Sequence, residues 1–165
     1  MNERALQLGM RKTHFYSVHG LPPGRGQGID VSSAYDLYLL ALELLKHPQY
    51  LHWSSTRIDS FRNGTFQLLN TNHRLIRNYR GMEGMKTGYH RRAGFNLVST
   101  AKRERQRFIS VVIGATNSRW RSKTTKHLLN YGFNNYLKYE LNKKGDSVPF
   151  SVKVDGGKVE DVSLQ

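Results

Sequence analysis

The 165 residues, 38% of them hydrophobic and including nine Tyr, seven Phe and two Trp, suffice for one domain with a real core and exclude wholesale disorder. With 26 Lys+Arg against 12 Asp+Glu the formal charge is +14, which permits an anionic partner, yet no zinc-finger or RRM-type aromatic pattern accompanies the cations, so no specific nucleic-acid binding is expected. The absence of cysteine excludes disulfides, thiolate zinc sites and a Cys nucleophile, and no stretch approaches the roughly 18–20 apolar residues that cross a bilayer.

Met1-Asn2-Glu3-Arg4 carries no basic-then-apolar leader pattern. The first ten residues read as the tail of a helix stopped at Gly9. Thr13 to Pro23, running into Gly24, Gly26 and Gly28, has the glycine and proline density of an irregular loop. The clearest helix is predicted over Ser33 to His47. Leu37, Leu40, Ala41, Leu44 and Leu45 form one apolar stripe, Ser32 or Ser33 is the cap, Asp36 suits the positive end, and Pro48 is the stop. Arg57 to Leu69 reads as a hairpin, because Asn63-Gly64 is a type I′ turn signal between Phe61 and Phe66. Three strands follow, Met85–Tyr89, Phe95–Lys102 and Phe108–Gly114, with Arg103-Glu104-Arg105-Gln106 as a polar turn, and predict an antiparallel meander. A helix is predicted from Ser118 to Tyr139, with Leu129, Phe133, Tyr136 and Leu137 on its apolar face and Gly132 as a weak point. After Gly145 the alternation of Val148, Phe150, Val152 and Val154, the Asp155-Gly156-Gly157 turn, and Val159 and Val162 predict a β-hairpin that opens a second unit.

Chemistry concentrates at Lys86-Thr87-Gly88, on the short first strand of the meander. Three residues match by chance in many chains, so the setting matters: glycine before them at Gly84 and a second strand directly after. Lys-Thr-Gly accompanies Ser-x-x-Lys and a Ser-x-Asn element in acyl-transfer sites of one enzyme class. An acyl transferase working on a free peptide terminus must hold a carboxylate and stabilise a tetrahedral oxyanion. A strand edge offers amides at fixed spacing, lysine a positive charge, threonine a hydroxyl donor, and glycine room for close approach of a backbone.

Gly84-Met85-Lys86-Thr87-Gly88-Tyr89, followed by Ala93-Gly94-Phe95-Asn96-Leu97-Val98, resembles the third box of the low-molecular-mass penicillin-binding proteins, the serine D-alanyl-D-alanine carboxypeptidases of peptidase family S11. Leu8-Gly9-Met10, Thr13-His14-Phe15, His19-Gly20-Leu21 and Ser33-Ala34-Tyr35-Asp36-Leu37 are similar to the same family upstream of the box. Downstream, Ile109–Ala115 and Leu128-Leu129-Asn130-Tyr131-Gly132-Phe133 continue the likeness, in order, to about residue 137.

The resemblance implies an α+β chain with part of a β-lactamase/transpeptidase-like fold, an antiparallel sheet flanked by helices. Residues 1–140 would be the C-terminal portion of the catalytic domain and 146–165 the truncated start of a β-rich domain. It implies that Lys86 polarises the site and helps anchor the substrate carboxylate, that Thr87 donates a hydrogen bond to it, that Gly88 lets substrate lie against the strand, and that the Tyr89 N–H supplies half of an oxyanion hole. The implied substrate is a peptidoglycan stem peptide ending in D-Ala-D-Ala, with β-lactams as suicide ligands of the full-length protein, no cofactor, and a place outside the cytoplasm at the cell envelope, where the basic charge permits association with a membrane surface.

The chain departs from the family at the nucleophile. It contains no Ser-x-Asn, and its single Ser-x-x-Lys is Ser99-Thr100-Ala101-Lys102. That match falls in a predicted strand, where i and i+3 point to opposite faces and lysine cannot take the serine proton. Ser99 is therefore expected to pack or to face solvent. The expectation is of a fragment whose Met1 is a mis-called start, inactive alone because the nucleophile is missing. The alternative is a non-catalytic muropeptide or wall-polymer binding module. A charge-driven polyanion binder would reveal itself by steep salt dependence. His90, beside Arg91 and Arg92, reads as a solvated strand-end residue. The other histidines (14, 19, 47, 52, 73 and 127) form no i, i+4 pair or His-Glu grouping, so no metal site is expected.

Overall fold

A computed structural model of the chain describes residues 1–138, together with the short strands 151–153 and 161–163. The chain opens on α1 (Asn2–Gln7), and Gly9, at φ +79°, turns it into the loop that follows. That loop is held by two carboxylates. Asp30 accepts hydrogen bonds from Tyr16 N–H, Ser17 N–H and Ser17 Oγ, while Asp36 accepts from Lys12 N–H and Thr13 Oγ1. Asp36 also donates its own N–H to Ser33 Oγ, so one residue starts α2 (Ala34–Leu44) and ties it to the loop. Ala41 is buried, and Leu37, Leu40, Leu44 and Leu45 are half-buried along the predicted stripe.

Pro48, expected only to stop that helix, opens another, α3 (Pro48–Ser55), in whose first turn its missing N–H costs nothing. The expected hairpin forms from β1 (Ile58–Phe61) and β2 (Phe66–Leu69), paired Phe61 to Phe66. Thr65 N–H returns to the Arg62 carbonyl, and Asn63 and Gly64 have φ of +55° and +85°, as the turn signal requires. All eight strand residues are exposed. A second unforeseen helix, α4 (His73–Asn78), then leads into the sheet.

The sheet is the predicted meander, β3 (Met82–His90), β4 (Gly94–Arg103) and β5 (Gln106–Ala115), in the order β3-β4-β5 and antiparallel throughout. Alternation places Leu97, Ser99 and Ala101 of β4 on one face beside Val112, Ser110 and Phe108 of β5. There the core gathers: Leu75 and Tyr79 from α4 and its end, Met82, Leu97 and Ala101 from the sheet, and Leu129 from α5 (Ser118–Asn135). The helix turns Arg121, Thr125, Leu129 and Gly132 inward. Gly132 is a contact and not a weak point, since a Cβ there would lie 2.9 Å from the Phe108 ring. The predicted apolar face of this helix needs correction at its end. α5 stops at Asn135 because Tyr136 adopts an extended backbone, and Leu137 is 81% exposed.

Farther on, β6 (Ser151–Lys153) and β7 (Asp161–Ser163) pair antiparallel, Val152 opposite Val162. The remaining residues of that predicted hairpin, with its Asp155-Gly156-Gly157 turn, and Tyr139 lie outside the described residues.

Candidate active site at the edge of strand β3

β3 borders the sheet, with β4 on one side and, among the described residues, no strand on the other. Its first part is covered by α3: Ser54 Oγ donates to the Glu83 carbonyl at 2.8 Å. Gly84, at φ +83°, comes so close that a Cβ would lie 2.2 Å from the Ser54 carbonyl oxygen, a position only glycine can fill. The register slips between Met82 and Gly84, leaving Glu83 as the extra residue of a bulge, and buried Met85 has φ +110°. Bulges and left-handed non-glycine residues cost free energy and gather where a strand must be re-aimed. Here they directly precede Lys86.

Beyond the bulge the ladder runs regularly, Lys86 opposite Val98, Thr87 opposite Leu97, Gly88 opposite Asn96 and Tyr89 opposite Phe95. Neighbouring residues on a strand point to opposite faces, so Lys86 and Thr87 do not share one. The exposed Lys86 ammonium donates to the Thr87 carbonyl. The Thr87 hydroxyl bonds the Thr71 hydroxyl at 2.8 Å, just ahead of α4. A Cβ at Gly88 would meet nothing nearer than Asn96 Cβ at 3.9 Å. The fold itself therefore does not demand glycine there, and the open space lies free for a ligand backbone. Tyr89 is 62% exposed and packs against Phe95 with the rings tilted, centroids 4.3 Å apart. His90 ends the strand half-buried, its Nδ1 accepting from Arg92 N–H at 3.3 Å.

Ser99 is wholly buried and shares a 3.0 Å hydrogen bond with Ser110 Oγ, while Lys102 is exposed. This pair cannot act as nucleophile and base.

Two residues at the site escaped sequence reasoning. Thr71 touches Thr87, a contact that joins chain segments 16 residues apart and leaves no local trace. Arg121 lines a cavity of about 700 Å³ that also includes Thr71 in its wall. It is 8% exposed, and its Nε has no hydrogen-bond partner among the described residues. Burial lowers its affinity for a proton from the ordinary guanidinium value, although the group stays charged. Its signal was present in the periodicity: a cation falling on the buried face of α5, in line with Thr125 and Leu129, is out of place unless it serves something.

A strand edge carrying Lys-Thr-Gly, re-aimed by a bulge and bordered by helices, is matched by a family model described as D-alanyl-D-alanine carboxypeptidase over residues 1–117. The chain belongs to that family. It is 36% identical over 167 residues to the carboxypeptidase DacF of Bacillus subtilis, covering 99% of this chain and 41% of that protein. With DacD of Escherichia coli the identity is 34% over 150 residues, covering 90% and 37%. The chain thus spans about two fifths of the length of these curated relatives. Its fold is that of the penicillin-binding proteins. Protein D2 of Listeria monocytogenes, solved with cefotaxime, superposes with a TM-score of 0.73 at 34% identity, covering 80% of this chain and 53% of that one. Penicillin-binding protein 5 of Haemophilus influenzae gives 0.79 at 28% identity, covering 98% and 46%. Among the described residues no helix is long and apolar enough to cross a membrane.

Proposed function

We propose that this chain supplies the substrate-gripping edge of a serine D-Ala-D-Ala carboxypeptidase, acting at the cell envelope outside the cytoplasm. In this reading residues 1–140 are the later part of the catalytic domain and 146–165 begin a second, β-rich unit. The observation that carries the reading is the free edge of β3 from Lys86 to Tyr89, with Gly88 open to a ligand that the fold leaves room for.

The stem peptide lies along that edge, its terminal carboxylate held by the Thr87 hydroxyl, while the charge of Lys86, from the other face of the strand, adds to the field that attracts it. A serine supplied by residues outside this sequence attacks the carbonyl of the penultimate D-Ala. Its proton passes to a base, the negative charge gathers on the carbonyl oxygen, and the Tyr89 N–H stabilises it beside the amide of that serine. Collapse breaks the peptide bond as the base returns its proton to the leaving nitrogen, the terminal D-Ala departs as its amine, and water then hydrolyses the acyl-serine ester. β-Lactams acylate the same serine, as expected from the cefotaxime- and ampicillin-bound relatives.

A non-covalent binding module is favoured instead for these residues alone by one observation: their single Ser-x-x-Lys has its serine buried in β4. One experiment separates the two. The product of the full reading frame around these codons is labelled with fluorescent penicillin, with and without Thr87→Val. Loss of the hydroxyl should slow acylation on the order of 100-fold, the scale of one lost site donor. A protein that binds a D-Ala-D-Ala peptide but never takes the label belongs to the binding-module reading.

A further inference from the structure

A peptide gripped at its carboxylate by Thr87, with its reacting carbonyl at the Tyr89 amide, has a fixed direction. It runs antiparallel to β3, so the residue before D-Ala-D-Ala falls beyond Tyr89, toward the turn that joins β3 to β4. A cavity of about 300 Å³ opens there. His90, Arg92 and Ala93 form one wall, and the loop carrying Leu21, Pro22, Pro23 and Ile29 forms the other.

The loop wall is fixed in advance. His19 Nδ1 accepts the Leu21 N–H at 3.0 Å, and two prolines with restricted φ follow. Asp30 borders the cavity too, but it is engaged by the Tyr16 and Ser17 amides and the Ser17 hydroxyl. What is left for a ligand is an aliphatic slot with a guanidinium at its mouth. Arg92 is exposed, and among the described residues its guanidinium has no hydrogen bond or ion pair. Only its backbone N–H is engaged, by His90 Nδ1. That bond puts the proton of the neutral His90 ring on Nε2, a second donor on the same wall. A wholly apolar ligand chain would gain nothing from Arg92, and a cationic one would be repelled by it.

We propose that this cavity is a specificity subsite for the residue preceding D-Ala-D-Ala. It selects a side chain with an aliphatic stem and an acidic tip, the stem against Leu21 and Ile29 and the tip at Arg92. The inference rests on the carboxypeptidase reading, which sets the direction of the peptide, and it adds a specificity residue outside the Lys-Thr-Gly motif.

The test uses the product of the full reading frame around these codons and three peptides, N-acetyl-X-D-Ala-D-Ala, where X is L-aminoadipate, L-norleucine or L-lysine. Their side chains have similar stems and differ in the charge of the tip. D-Ala release should have the highest kcat/KM for aminoadipate and the lowest for lysine, with norleucine between. Arg92→Gln should lower the value for aminoadipate about fivefold, the upper end for an exposed ion pair, and raise that for lysine. Norleucine should be unchanged, which also reports that the variant is folded. Arg91→Gln, outside the cavity, should preserve the order of the three. Equal efficiency for all three peptides in the parent protein overturns the subsite, as does an equal loss for all three in Arg92→Gln or no change for any. A protein that takes penicillin and releases D-Ala without such an order loses the subsite and keeps the carboxypeptidase reading. If penicillin never labels it and no peptide loses D-Ala, that reading fails, and calorimetric binding of the same peptides decides the subsite. The same order of affinities, lost in Arg92→Gln, supports it, and equal affinities or no binding overturn it.

Discussion

Asp36 shows how one side chain fixes a helix end and a loop together. Burial alone would raise its pKa, but hydrogen bonds from Thr13 Oγ1, Lys12 N–H and Ser33 hold it below the ordinary value of 3.8. A carboxyl whose folded pKa is depressed stabilises the fold above its unfolded pKa and loses that contribution as pH falls toward the folded value. Asp36→Asn should therefore lower the melting temperature at pH 7, and the gap from the parent chain should narrow as pH is taken down through 3.8. A gap that stays constant from pH 7 to pH 3 would mean that the charge of Asp36 contributes nothing. The helix-start role was legible in the sequence from Ser33 and Asp36. The bond to Thr13 was not, because it joins residues 23 apart. Lys86, Thr87, Gly88 and Tyr89 were legible as a motif in the same sense, whereas Thr71 became visible only once α4 had brought it against β3.

At the scale of elements, periodicity explains what could be read. β4, β5, α2 and α5 each carry a long alternation or a helical stripe and were foreseen, whereas β3 was foreseen only as a short strand over Met85–Tyr89 and in fact runs from Met82 to His90. α3 and α4 span eight and six residues, too short for a stripe to repeat. Pro48 misled because proline both ends one helix and suits the first turn of the next. The packing of α5 on β5 hinges on Gly132. Its missing side chain leaves room for Phe108, which meets Phe133 edge-on with centroids 4.9 Å apart. Alanine would gain up to about 1 kcal/mol of helix propensity. Its Cβ would press on the root of the Phe108 ring, which cannot swing aside without losing Phe133, and overpacking of this kind costs about 1–3 kcal/mol. Gly132→Ala should thus destabilise the chain by about 1 kcal/mol net, read as a lower urea midpoint. A rise in the midpoint would show that the ring is free to move.

For the whole molecule, the question is what the described surfaces leave uncovered. The sheet has three strands, and neither the outer edge of β5 nor the Lys86–Tyr89 stretch of β3 is paired with another strand. Such edges invite pairing with other chains unless something covers them. β1 and β2 stand as an exposed hairpin with Phe61, Phe66, Leu68 and Leu69 open to water, and a two-stranded hairpin alone is marginal. Ile113 on β5 and Trp120, Leu128 and Tyr131 on α5 add further apolar surface. Against this, among the described residues the core cluster has six buried members, Ala101 among them. At about 1.5–3 kcal/mol per large buried side chain, so small a cluster leaves little margin over the entropy of ordering the chain. The 165-residue chain alone should therefore melt broadly and at low temperature, bind a hydrophobic dye before the transition, and aggregate on heating. A sharp, reversible transition of the isolated chain, with monomer verified by sedimentation, would mean that these surfaces need no cover.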